Sequence, residues 1–363
     1  NAGQSNTTGY ANSFIGINAG QNNTTGIFNA FFGINAGQNN TTGFSNVFIG
    51  TSAGTANTTG ANNTFIGQTS GLSNTNGFAN SFVGAGSGLN NTTGYNNSFI
   101  GVNAGLNNTI GTGGTYIGAY SGVTNTTGIN NTFIGQLSGY SNSTGDSNTF
   151  NGAYSGYLNT TGYGNSFTGL SSGFSNTTGF YNSFFGLSAG ALNTTGDSNS
   201  FVGASSGHNN TTGINNSYLG LNAGFTNATG SSNVIFGTLS GYSNLNGSNN
   251  TFIGTQSASG TIFAKMDNNT TIGFQSGLRL ATSTGNILLG YQTAQNLTTG
   301  SFNIGLGYNV DFASSTGSNQ LNIGNLLFGN NIDGQGTALS SGNIGIGTSA
   351  LNARLVIQGR GNT

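Results

Sequence analysis

A 17-residue repeat from Ile17 to Gly254 constrains the fold of this chain more than any other feature. Each of its fourteen units follows the pattern x-x-[AS]-G-x-x-N-T-T-G-x-x-N-[ST]-F-[IV]-G, with small departures from unit to unit. The final glycine and the asparagine of the N-T-T-G step are present in every unit. A constant period with constant glycines indicates that one backbone coil is copied along the chain.

The composition of the repeat disfavours α-helix. Each unit carries three glycines separated by β-branched and aromatic residues, which favour short strands bounded by glycine and asparagine turns. Units of this length cannot enclose a core alone, so we expect them to stack and to pair their backbones with the units above and below. The sequence therefore predicts an all-β fold, a parallel β-solenoid (β-roll) of 17-residue coils, which rises about 4.8 Å per coil.

One aromatic register recurs in nearly every unit and predicts the core. Aromatic residues at the same place in successive coils should form a stack of rings that fills a narrow interior. The small residue of the [AS]-G step should face those rings, where space is short. The predicted core stack comprises Phe31, Phe48, Phe65, Phe82, Phe99, Phe133, Phe167, Phe184, Phe201 and Phe252.

The register after the aromatic residue is apolar and predicts assembly. Neighbouring residues of a strand point to opposite faces, so this column should face outward if the aromatic column faces the core. Monomers rarely expose an apolar stripe of this extent, which favours burial against other chains. A wide coil that buries both columns internally is the alternative. The predicted interchain residues are Ile49, Ile66, Val83, Ile100, Ile117, Ile134, Val202 and Ile253, and Asn151 and Thr168 interrupt the column.

Asparagine occupies two further registers. The asparagine of N-[ST]-F, which is replaced only by Gly114, is expected to form hydrogen-bonded amide ladders between coils. The N-T-T-G step is expected to form a turn, and it also matches the acceptor sequence for N-linked glycans in most coils. Turn chemistry copied by duplication and glycosylation of the asparagine or the adjacent threonine both explain this motif. The possible glycan acceptors are Asn23, Asn40, Asn57, Asn91, Asn125, Asn159, Asn176, Asn193 and Asn210.

The repeat divides the chain into three predicted segments. Residues 1–254 are the regular solenoid, and 255–347 contain degenerate repeats with insertions. Residues 348–363 are expected to form a cap or a junction to a following module, because terminal repeats are usually atypical. The chain begins with Asn1 in mid-repeat, and we expect it to be a processed or visible piece of a longer protein.

Composition weighs against several function classes. The net charge is −1 and only 2% of residues are charged, so attraction to nucleic acid is not expected. No apolar run approaches the length of a membrane span, so no membrane insertion of this segment is expected. His208 is the only histidine and cysteine is absent, which leaves no expected metal site or cofactor. Asp146 and Asp197 lie roughly 14 Å apart by coil spacing, too far for paired carboxylate catalysis, so we do not expect an enzyme.

The repeat resembles those of YadA-like trimeric autotransporter adhesin heads, and more closely the shafts of phage tail fibres and related bacterial surface fibres. The stretches 318–329 (S-N-Q-L-N-I-G-N-L-L-F-G), 342–349 (G-N-I-G-I-G-T-S) and 353–359 (A-R-L-V-I-Q-G) are similar to the segment that closes such fibres. The resemblance implies a parallel homotrimer, with a copy of the same chain as partner and end-to-end filament growth as a further possibility. It also implies an extracellular or cell-surface location, or a virion tail fibre.

These observations favour a structural protein of an extracellular fibre or filament, in which stacked coils and interchain apolar contacts resist extension. A carbohydrate-binding adhesin or tail fibre is the first alternative, because Tyr140, Tyr157, Phe174 and Tyr163 could stack on surface glycans. An ice-binding solenoid is the second alternative, because the two threonines of N-T-T-G repeat as files, from Thr24 and Thr25 onward.

Overall fold

The computed structural model describes residues 1–261 and 264–358. It divides the chain into two compact units, Asn1–Ser183 and Phe184–Thr363. Within each unit, successive coils of 17 residues stack through parallel strand pairing, which confirms the predicted all-β parallel solenoid. Among the described residues, no helix has the length and apolarity needed to cross a membrane.

The first unit is regular throughout. Each strand pairs in parallel with the strand one coil later, so that residues 17 apart in sequence are partners, as Phe48 and Phe65 are. The strands of this unit are β1 (Ser13–Ile15), β2 (Ala30–Phe32), β3 (Val47–Ile49), β4 (Thr64–Ile66), β5 (Ser81–Val83), β6 (Ser98–Ile100), β7 (Thr115–Ile117), β8 (Thr132–Ile134), β9 (Thr149–Asn151) and β10 (Ser166–Thr168).

The second unit begins with the same coil and then departs from it. The strands, counted from Ser183, are β11 (Ser183–Phe185), β12 (Ser200–Val202), β13 (Ser217–Leu219), β14 (Val234–Phe236), β15 (Thr251–Ile253), β16 (Met266–Asp267), β17 (Thr270–Ile272), β18 (Ser283–Thr284), β19 (Ile287–Leu289), β20 (Ile304–Leu306), β21 (Leu321–Ile323), β22 (Leu327–Gly329), β23 (Ile344–Ile346) and β24 (Leu355–Ile357).

Strand direction reverses near the end of the second unit. β21 and β22 pair antiparallel, β22 and β23 pair antiparallel, and β24 pairs in parallel with β23. Upstream, the two-residue insertion shifts the pairing of β15 with β17 to a spacing of 19 residues, so that Phe252 pairs with Thr271. The loss of the strict 17-residue pattern after Gly254 thus coincides with altered pairing between coils.

Aromatic rings fill the interior of the first unit and of the early coils of the second. The ten phenylalanines of the predicted core stack are all buried. In the first unit, successive rings from Phe14 to Phe167 lie nearly parallel, with centroids 4.5–5.0 Å apart. In the second, Phe184, Phe201 and Tyr218 continue the pattern at 4.8 Å. The coil rise therefore sets the ring spacing, and within these runs each ring stacks on the neighbouring ring one coil away.

Glycine permits this close stacking. At Gly101, φ is +138°, and an added Cβ would lie 2.5 Å from the carbonyl oxygen of Gly118 in the next coil. At Gly105, an added Cβ would lie 2.5 Å from the Phe99 ring. The two registers are invariant for different reasons: the first admits no side chain against the backbone of the next coil, and the second leaves room for the ring.

Two tyrosines replace phenylalanine in the core and are accommodated differently. The hydroxyls of Tyr116 and Tyr218 are buried and have no hydrogen-bond partner among residues 1–261 and 264–358. Beside Tyr116 lies Gly114, where an added Cβ would come within 3.1 Å of the hydroxyl oxygen. Tyr218 instead pairs in the next coil with Ile235, which is smaller than the usual phenylalanine. The extra oxygen of Tyr116 thus lies beside a glycine of its own coil, whereas Tyr218 keeps Asn216 in that place and pairs with a smaller residue in the next coil.

We expect the effect of Gly114→Asn on the free energy of unfolding to change sign when Tyr116 is replaced by phenylalanine. In the native chain the added amide would overpack against Tyr116 and lower the free energy of unfolding by about 1–3 kcal/mol. In a Tyr116→Phe background it should restore the usual Asn–Phe pair and raise stability by about 1 kcal/mol through new hydrogen bonds. A double-mutant cycle by urea denaturation measures this coupling, and additive effects would contradict the compensation.

Alkaline pH should destabilise the folded chain through these two phenols. Burial raises the pKa of Tyr116 and Tyr218. The unfolded phenol ionises near pH 10, so stability is fully present below that pH and is lost as the pH rises above it. Thermal unfolding between pH 8 and 12 should show this loss, and Tyr116→Phe/Tyr218→Phe should reduce it. An equal loss in the double variant would contradict the assignment.

Candidate interaction surfaces

Each strand presents alternate residues to the interior and to solvent. In β6, Phe99 is buried, while Ser98 and Ile100 lie on the outer side, half-buried and exposed respectively. We call the outer column that contains Ile100 the isoleucine row, which in the first unit runs from Ile15 through Ile134 to Thr168. Its position follows from strand alternation, because the core ring is its immediate neighbour.

The isoleucine row is exposed over most of its length. Ile49, Ile66, Ile100, Ile117 and Ile134 are 37–41% exposed. Val83, Val202 and Ile253, the other predicted interchain residues, are half-buried on the same side of their strands. The row is therefore absent from the interior, which rules out a wide coil that buries both columns.

Two further apolar rows flank the same strands, and of their residues the sequence analysis considered only Tyr163, as a sugar-binding ring. One lies two residues after the isoleucine row, past the invariant glycine. The other follows the glycine of N-T-T-G, where Phe78 and Tyr95 stack with centroids 4.8 Å apart. An apolar residue is frequent at each of these two registers of the repeat, and this frequency could have indicated the rows. Polar residues also occur at both registers, so the pattern is weaker than that of the isoleucine row. Exposed members are Ile17, Ile34, Val102 and Leu170 in the first row, and Phe44, Phe78, Tyr95, Ile129 and Tyr163 in the second.

The surface of the first unit is almost free of charge. Asp146 is the only charged side chain among residues 1–183. Its carboxylate oxygen Oδ1 accepts a hydrogen bond from the Ile129 backbone N–H at 2.8 Å, so the charge interacts with the protein's own backbone. A partner for this surface cannot be selected by opposite charge, and apolar contact and hydrogen bonding must dominate.

The asparagines of the N-T-T-G step lie inside the coil. Asn40 Nδ2 donates to Asn23 Oδ1 at 2.7 Å and to the Gly43 carbonyl at 3.0 Å. A glycan on Nδ2 would have to break both bonds and enter a closed interior, so these asparagines act as ladder residues in the folded chain. The nine residues considered as glycan acceptors, Asn23, Asn40, Asn57, Asn91, Asn125, Asn159, Asn176, Asn193 and Asn210, are all fully buried.

A second amide ladder runs beside the first. The backbone N–H of Asn46 donates to Asn29 Oδ1 at 3.0 Å, and Asn29 Nδ2 donates to the Gly43 carbonyl at 2.8 Å. The first ladder therefore joins an amide to the amide of the neighbouring coil and to a carbonyl of its own coil, whereas the second joins an amide to backbone groups of the neighbouring coil. A buried amide without a hydrogen-bond partner lowers stability. Each coil is therefore most stable beside a coil that carries asparagine at the same registers.

The two threonines of N-T-T-G are not equivalent. Thr24 is half-buried, and its Oγ1 donates to the Thr41 carbonyl of the next coil at 3.0 Å. Thr25 is exposed. One threonine file therefore engages the backbone of the coil stack, and only the other is presented fully to solvent.

The aromatic residues considered for sugar binding stack on one another. Tyr140, Tyr157 and Phe174 are half-buried, with successive ring centroids 5.2 and 5.1 Å apart. Tyr163 stacks on Phe180 at 5.0 Å. Sugar stacking uses ring faces, and within these columns the inner ring faces already contact other rings.

The few charged groups are dispersed in local contacts. Lys265 and Asp267 form an ion pair at 3.4 Å, and Arg354 donates to the carbonyls of Ser340 and Gly342. Asp333 is exposed, and hydrogen bonds from Ser341 lower the pKa of its carboxyl. In residues 1–261 and 264–358, histidine and acidic side chains form no cluster that could hold a metal ion.

No protein-family model matches this chain, and no curated protein matches it. The resemblance to YadA-like heads and tail-fibre shafts therefore rests on the motif. The geometry supports the coarser statement that the chain is a repeat protein with a β-solenoid fold.

Proposed function

We propose that this chain is a structural protein of an extracellular fibre, in which copies of the chain associate in parallel along their isoleucine rows. The observation that carries the proposal is a row of exposed apolar side chains that repeats once per coil. Exposed apolar rows of this kind mark interaction surfaces. Stacked backbone pairing and two interior amide ladders supply the mechanical link along the axis.

A second copy of the chain is the partner that best fits this surface. Successive side chains of the row are spaced by the coil rise, which the core rings place near 4.8 Å. Another solenoid of the same repeat presents apolar side chains with that same period, so the contacts match over many coils. The near absence of charge in the first unit also removes repulsion between identical copies. The resemblance to trimeric fibres favours three copies.

Neither alternative function gains a comparable observation. For sugar binding, the ring faces of the aromatic columns already stack on one another. For ice binding, only one threonine file is fully exposed, whereas the predicted array has two. We therefore rest the proposal on the fibre.

Native mass spectrometry of the full chain tests this proposal, with the denatured chain as the reference for covalent mass. The expected result is the mass of two or more copies of the chain, and the resemblance to trimeric fibres predicts three. A mass above 36.4 kDa per denatured chain would indicate modification, for which the exposed Thr25 file is the available surface in most coils. A monomer at micromolar concentration would contradict the fibre interface.

A further inference from the structure

A periodic surface leaves the axial alignment of two copies undetermined. The rings of Phe150 and Phe167 lie 4.8 Å apart, and the outer row advances by the same step. Two rows of isoleucine that slide by one coil meet equivalent partners again. An assembly with one alignment therefore needs a feature that occurs only once along the row, as register does in a flat β-sheet.

Asn151 and Thr168 are such a feature. They end strands β9 and β10 on the outer side, and pairing places Ile134, Asn151 and Thr168 in consecutive coils of the row. Asn151 is exposed and Thr168 is half-buried. In the described part of the chain, neither side chain forms a hydrogen bond. Their polar groups are thus presented outward at the one polar step of the isoleucine row in the first unit.

We infer that Asn151 and Thr168 select the in-register alignment of parallel copies, an inference that rests on the proposed fibre. In register, the Asn151 amides of neighbouring copies meet and can donate to one another, as can the Thr168 hydroxyls. After a slide of one coil, Asn151 of one copy lies against Ile134 of another. After a slide of two coils, every polar side chain of the step lies against an apolar one, unpaired. A buried asparagine sets register in coiled coils by the same physics.

The absence of cysteine allows a direct measurement. Thr42 and Thr127 are exposed and lie five coils apart, so full-length Thr42→Cys with a nitroxide label is mixed with full-length Thr127→Cys with a gadolinium label. Because the two labels are offset along the coil stack, the nitroxide–gadolinium distance between chains changes with each slide of one coil. Pulsed electron paramagnetic resonance should give one narrow interchain distance. In Asn151→Ile/Thr168→Ile, oligomers of unchanged mass should give further distances that reflect slides in steps of one coil. The ratio of in-register to shifted copies should fall by about tenfold or more.

A transplanted polar step separates register selection from a local structural role. Adding Ile117→Asn and Ile134→Thr to Asn151→Ile/Thr168→Ile moves the step by two coils and should restore a single narrow distance. One narrow distance in Asn151→Ile/Thr168→Ile would overturn the inference while leaving the fibre intact. Several distances in the transplanted variant would also overturn it. A native chain without any interchain distance and with monomer mass would overturn the fibre itself, and the inference with it.

Discussion

Gly101→Ala should lower the free energy of unfolding by about 3 kcal/mol or more, because alanine is strained at this backbone conformation and its Cβ collides with the next coil. φ is +138°, and the added carbon would lie 2.5 Å from the Gly118 carbonyl oxygen, which cannot move without displacing that coil. The loss should spread to neighbouring coils, because each contacts mainly those above and below. Urea denaturation, together with hydrogen exchange of β6 and β7, measures both effects.

Gly113→Asn is the matched control. Gly113 also has positive φ, but Asn96 and Asn130 occupy the same register one coil away with φ of 57° and 56°. An added Cβ would meet the side-chain oxygen of Asn130 rather than backbone, and that amide can rotate. We expect a change within about 1 kcal/mol, because asparagine tolerates this conformation. Equal losses in the two variants would show that close backbone approach is not what selects glycine at Gly101.

Replacing Ile66, Ile100 and Ile134 by asparagine should dissociate the chains and leave each chain folded. Their side chains are 37–41% exposed in the single chain, so asparagine should disturb the coil little. In an assembly, three apolar contacts per chain would be replaced by unpaired amides, which should raise the dissociation constant by about a hundredfold or more. Sedimentation equilibrium measures the association, and far-ultraviolet circular dichroism measures the β content.

The polar residues of the same strands supply the control for that experiment. Thr64, Ser98 and Thr132 lie on the outer side two residues before the substituted isoleucines. Changing these three to asparagine replaces one polar side chain by another and should leave association within about threefold of native. Loss of β content in the isoleucine variant would show that the row stabilises the coil itself. Unchanged association with intact β content would place the interface elsewhere.

Local patterns were sufficient to predict the solenoid, because its rules act between neighbouring residues. The alternation of Phe99 and Ile100 assigns one side chain to the interior and the other to the surface. The invariant glycines and the constant period indicate stacked copies of one coil. The interchain role of the isoleucine row, the three predicted segments and the location of the chain stay predictions.

The amide ladder of the N-[ST]-F asparagines was predicted and is confirmed, but the role of the N-T-T-G asparagines could not be predicted in the same way. Asn40 lies in a motif that matches both a turn and a glycan acceptor, and only its contacts with Asn23 and Gly43 distinguish the two. Likewise, the buried hydroxyl of Tyr116 lies within 3.1 Å of where a Cβ at position 114 would be, so Gly114 leaves room for it. In both cases the deciding contact forms only once the coil has folded.

By itself, the sequence determined the period, the coil, the aromatic interior and the outward isoleucine row, because spacing and strand alternation are local properties. The tertiary structure decided which amides are buried, which threonine is exposed, where the strands reverse near Leu327 and how the polar step at Asn151 is presented. Those features depend on contacts between coils, which form only when residues one coil apart are brought within 5 Å by stacking.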